Sequence, residues 1–128
     1  MSNNADRPVV VTGAVLTIEY AVCANGSMPA KEFIDGLDQS EQRKLAVLFQ
    51  RMADQGQIRN PDQFKQVRDG IFEFKRHQVR VFCFREAQSW FLTNGYKKKK
   101  DKLDPVEVAR AARVMQEHLT RQPRQGRR

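Results

Sequence analysis

The chain has 128 residues, with 23 Lys/Arg against 15 Asp/Glu, a formal net charge of +8 and two cysteines. That length suits one domain around a single core, and the basic balance favours a polyanion such as nucleic acid, or an acidic protein partner. There is no CxxC pair or Cys/His cluster for zinc, no secretory signal, and no apolar run near the ~18 residues that span a bilayer, so a cytoplasmic protein without metal, cofactor or membrane contact is expected.

Residues 1–13, MSNNADRPVVVTG, read as a loose lead-in; VVV could extend a first strand, but Gly13 argues for a break. Residues 14–22 alternate, with Leu16, Ile18, Tyr20 and Val22 on one side and Val15, Thr17, Glu19 and Ala21 on the other. That is a β-strand with one strongly apolar face. Pro29 suits the first turn of a helix in which Phe33, Ile34 and Leu37 share a side. Asp38 and Glu41 have the spacing of a capping box. They open a second helix, striped by Leu45, Leu48, Phe49 and Met52 and stopped by Gly56. This helix pair needs a sheet to cover. Residues 57–70 read as a connector, with a turn at Asn60-Pro61.

Three strand-like segments follow, 71–75, 78–84 and 89–96, joined by short links that imply an antiparallel meander. A first turn at Arg76-His77 sets Phe74 opposite Val79 and Glu73 opposite Arg80. Phe72, Phe74, Val79 and Val81 then face the core, and Glu73, Lys75 and Arg80 face away from it. Phe82, Phe84 and Trp90 are expected to pack rather than to bind. Cys23 and Cys83 lie in apparent strands and read as buried free thiols.

The stretch Asn94 to Pro105, NGYKKKKDKLDP, sets four lysines after an apolar run. Residues 97–128 hold 11 Lys/Arg and 4 Asp/Glu, and the rest of the chain 12 and 11, so the charge excess sits in the last quarter. Asp104, Pro105 and Glu107 read as the cap, first position and box residue of a last helix. Val108, Ala111, Ala112, Met115 and Leu119 form its apolar side. Residues 121–128 read as a basic disordered tail. His77, at a turn, and His118, near a helix end, read as solvated or satisfied rather than catalytic. The whole is an α+β domain over residues 14–120, a small mostly antiparallel sheet with helices on one face. Lys75, Arg80 and the lysines of 97–102 meet near one edge of the other, open face.

The segments GIFEFK, VRVFCF, LTNGYKKKKDKLDP and EVARAARVMQ, between Asp69 and Leu119, resemble the RelE/HigB-like toxins of type II toxin–antitoxin modules, especially their phage-derived branch. The resemblance implies a RelE-like fold, with a two-helix pair packed on one face of the sheet and a C-terminal helix. It implies a cognate antitoxin, commonly a helix-turn-helix protein, and cleavage of mRNA on the ribosome. Carried over position by position, it makes Arg80, Lys98, Lys99 and Lys102 catalytic. Lys75, Tyr96, Lys97 and Lys100 become RNA-binding. Lys75 stands where the family usually has Arg, Tyr96 where it has Phe, and Lys97 and Lys100 are extra. The implied reaction is attack of a ribose 2′-hydroxyl on the adjacent phosphate, which needs a base, an acid and cations for the developing charge. A lysine can be the base where neighbouring cations disfavour its protonated form. Two other functions fit: a ParE-like toxin acting on a protein target such as gyrase, or an inactive basic nucleic-acid-binding protein of the same fold.

Overall fold

A computed structural model describes residues 8–99 and 102–121 of the chain. Its strands are β1 (Val9–Thr12), β2 (Thr17–Tyr20), β3 (Phe64–Arg68), β4 (Ile71–Arg76), β5 (Val79–Glu86) and β6 (Ser89–Lys97). They form one sheet in the order β1-β2-β6-β5-β4-β3. All neighbours are antiparallel except β2 and β6, which run parallel with Ile18 beside Trp90. The helices are α1 (Pro29–Asp35), α2 (Gln39–Gln55) and α3 (Pro105–Arg121). This is the expected α+β architecture, consistent with a RelE-like fold.

The helix starts follow local chemistry. Pro29 opens α1. Asp38 and Glu41 close a full capping box at α2, each side chain accepting from the other's backbone N–H, and Gly56 ends the helix in the left-handed conformation. The stripe Leu45, Leu48, Phe49 and Met52 is buried. It packs with Ile18, Phe74, Val81 and Leu92 on one face of the sheet, where Ala30 and Ile34 of α1 join it.

Four expectations need correction. Val9–Thr12, read within the lead-in, pair with β2 as an edge strand; three consecutive β-branched valines outweigh the break at Gly13. Residues 64–68, read as connector, form β3 on the other edge, paired with β4. Asp69-Gly70 is the tight turn between them, with Gly70 at φ 76°, as the Asp-Gly dipeptide favours. The next hairpin turns at His77-Gln78, so Lys75 faces Arg80 and Glu73 faces Phe82. That is a two-residue slip from the expected register, and with a period of two every side chain keeps its face.

The fourth correction concerns the open face. α3 packs on it, burying Phe82 and Ile71 against Val108 and Ala111, and Phe84 and Phe91 against Val114. Phe82 and Phe84 are therefore core, and Trp90 is buried on the opposite face. The buried stripe of α3 is Val108, Ala111, Val114 and His118, while Leu119 is exposed. Lys65 and Lys75, toward the β3 edge of that face, stay at least partly exposed. Cys23 and Cys83 are buried free thiols, as expected. Among the described residues no helix is long and apolar enough to cross a membrane. Arg121, read as the start of the 121–128 tail, is the last residue of α3, and the rest of that expected tail lies outside the described residues.

Candidate functional site

Strand alternation builds the site. Lys65 of β3 pairs with Glu73 of β4. Lys75 of β4 pairs with Arg80 of β5, and Arg80 with Tyr96 of β6. These side chains share the face that α3 covers only in part, and Lys98 follows two residues beyond Tyr96. The chain continues straight through that position, since the Lys98 N–H donates to the Gln78 carbonyl at 2.7 Å.

Glu73 sits at the centre of this patch and is 2% exposed. Burial pushes its carboxyl pKa up, and Arg80, Lys65, Lys75 and Lys98 oppose that shift through their charge. The Arg80 Nε lies 3.8 Å from Glu73 Oε1, too far for a hydrogen bond. Both atoms are buried without a hydrogen-bond partner among the described residues. Arg80 Nη1 donates instead to the carbonyls of His77 and Val79, which fixes the guanidinium on its own hairpin. Lys75 donates to the Pro61 carbonyl at 3.2 Å. Partial burial, then the charge of Lys65, lower its pKa from the ordinary lysine value.

Beside this patch is a cavity of about 640 Å³ between the end of β6, the lysine loop and the start of α3. Tyr96, Lys97, Lys98, Lys99, Lys102, Leu103, Asp104, Pro105 and Glu107 line it. Its walls are pinned. The buried Asn94 donates from Nδ2 to the carbonyl and to Oε1 of Glu107, each at 3.2 Å, and accepts from the Thr93 hydroxyl at 2.8 Å. The Asp104 N–H points at the Tyr96 hydroxyl, 3.4 Å away, and the Val106 N–H donates to Asp104 Oδ1 at 2.9 Å. Asp104 therefore caps α3 as expected. Glu107 departs from the expected box, because its carboxylate turns to Asn94. The Tyr96 ring stacks on Phe82, with centroids 5.7 Å apart.

The expected residues thus divide. Lys98, Lys99 and Lys102 line one cavity, and Lys75, Arg80 and Tyr96 neighbour one another on the adjoining strands. Lys97 reaches the cavity rim, but its Nζ pairs with Glu41 Oε2 at 3.2 Å, on the α2 side of the sheet. Lys100 lies outside the described residues. Lys65, Glu73 and Glu107 were missed. Lys65 was hidden by the unread strand β3, and Glu107 by a capping spacing that its side chain does not use. The signal for Glu73 was present, since alternation already put a carboxylate between cations.

A model of the family described as "Phage derived protein Gp49-like (DUF891)" matches residues 32–116, about two thirds of the chain. The chain belongs to this Gp49-like family. The family is associated with RelE/HigB-like toxins of toxin–antitoxin systems, and an antitoxin partner follows for a member that acts as one. A search of curated proteins finds no match. The matched span of the Gp49-like chain takes in α2, β3 to β6 and most of α3, and so every described residue of the cavity and of the cationic patch. His118 lies beyond its end.

Proposed function

We propose that the chain is the toxin of a type II toxin–antitoxin module and cuts mRNA on the ribosome, held inactive by a cognate antitoxin. The single observation that carries this reading is the convergence of Lys98, Lys99 and Lys102 on one cavity beside Arg80 and Lys75. Cations drawn from two strands and a loop suit a phosphodiester better than a flat protein surface. That weighs against a ParE-like action on gyrase.

In the proposed reaction Arg80 and the lysines hold the scissile phosphate. A base takes the 2′-hydroxyl proton as that oxygen attacks phosphorus. The bond to the 5′-oxygen breaks, and an acid returns a proton to it, leaving a cyclic phosphate. One lysine of the Lys98, Lys99 and Lys102 group that lines the cavity serves as the base, and the other two neutralise the charge that builds on the non-bridging phosphate oxygens. An inactive nucleic-acid-binding protein would keep the patch without the chemistry.

Tightly induced expression with mapping of transcript 5′ ends tests the reading. Growth arrest with codon-phased cuts is expected, and Arg80→Ala or Lys98→Ala should reduce cutting at least a hundredfold, about 2.7 kcal/mol of transition-state stabilisation. Arrest with intact transcripts and broken DNA would move the protein to the gyrase class. Intact transcripts without arrest would leave only a binding role.

A further inference from the structure

The cavity raises a question that phosphate binding does not answer. A wall built to hold a polyanion should exclude acids, yet Asp104 and Glu107 both stand in it among four lysines, and only Asp104 is accounted for, as the cap of α3. The Glu107 side chain is 23% exposed. Asn94 holds Oε1, and Arg110 Nη1 lies 3.9 Å from the same atom. The carboxylate is thus anchored through one oxygen, and no hydrogen bond or ion pair engages Oε2 among the described residues. The same lining holds Tyr96, backed by Phe82, with Leu103 and Pro105 as further flat or apolar surface.

We infer that this cavity is a nucleobase pocket selective for guanine, read by Glu107. The inference rests on the reading of the chain as an RNA-binding toxin and names which base that site accepts. A fixed carboxylate accepts and cannot donate. Guanine is the one standard base whose Watson–Crick edge carries two adjacent donors, N1–H and the N2 amino group. Adenine and cytosine each set an acceptor beside their single amino donor, and uracil flanks its N3–H with two carbonyls. The other edge of guanine presents O6 and N7, both acceptors and the usual partners of basic side chains. Lys99 and Lys102, which share the cavity lining with Glu107, suit them. Tyr96 supplies the aromatic surface on which unpaired RNA bases stack.

The test measures binding of the full-length protein to four fluorescein-labelled nonamers, each of uridines with G, A, C or U at the centre. The guanine RNA should bind about tenfold or more tighter than the others, the usual worth of one bidentate base contact. Glu107→Gln keeps the bond from Asn94 and swaps one acceptor for a donor. It should lose the guanine preference and gain affinity for the adenine RNA. Lys98→Ala should weaken all four RNAs alike. Equal affinity of the wild-type protein for all four, with the Lys98 effect intact, overturns the guanine pocket and leaves the RNA reading standing. No binding of any nonamer overturns both. The wild-type ranking needs no variant, so a misfolded Glu107→Gln protein cannot obscure the result.

Discussion

His118 shows how a single residue departs from its expected role. It lies near the end of α3 yet is buried, with its ring 4.5 Å from that of Phe91 and Nδ1 accepting the Val22 N–H at 2.9 Å. Nε2 is buried without a partner among the described residues. Burial, then Arg121, lower its pKa below the ordinary histidine value. Between the lowered and the ordinary value the unfolded chain binds the proton and the folded chain does not. The stability His118 contributes is therefore complete above about pH 6.5 and lost as pH falls through the lowered value. Thermal melts from pH 7.5 to 4.5 should show a falling midpoint, and His118→Phe should flatten the part of that slope that begins near pH 6.5. An unchanged slope would show that other groups set it. A solvated or satisfied histidine was expected, whereas His118 is buried with one ring nitrogen bonded to Val22 and the other unpaired among the described residues, a depth that could not be read from the chain. A polar residue on the edge of an apolar stripe looks the same whether the helix meets water or a sheet.

At the scale of elements, Gly95 explains why α1 and β6 meet so closely. A β-carbon there would lie 2.4 Å from the Phe33 ring and 2.9 Å from the Arg80 carbonyl. The Phe33 ring therefore rests on bare backbone, one residue from Tyr96. Gly95→Ala should cost about 1–3 kcal/mol, in the range of overpacked cores, read as a lower urea midpoint with an unchanged slope. Trimming Phe33 to Leu in the same chain should recover part of it. The elements most legible in the sequence were those with strong local signatures: the capping box at Asp38, the proline at Pro29, and the alternation in β4 and β5. β3 was not, because FKQVR is mostly polar and an edge strand needs little apolar surface. The β4–β5 register slipped because alternation specifies faces but not partners. His77, at φ 55°, opens a turn that few residues without glycine's freedom adopt.

Over the whole molecule, the positive excess lies on and beyond the segment that lines the cavity. If RNA binds there, affinity should fall with salt, the logarithmic slope being roughly 0.7 for each phosphate neutralised on a single strand. Titrations from 50 to 300 mM salt should show a slope about 0.7 shallower for Lys98→Ala, whereas Glu107→Gln should leave it within error. A slope unchanged by Lys98→Ala would remove that lysine from the phosphate path. That the lysines cluster was legible from four adjacent letters. That Arg80 and Lys75 lie near them was legible only in part, because it depends on β6 pairing with β5 and on how far α3 advances across the sheet.

The parallel pair β2–β6 has one more consequence. Thr17 lies beside Ser89 and Tyr20 beside Leu92, so each of these neighbours waits for about seventy residues of intervening chain. A ribosome making this protein releases β1, β2, α1 and α2 while the strand that joins them to the rest is still inside the exit tunnel. The lysine loop follows β6 directly, so the cationic pocket closes only after the centre of the sheet has zipped.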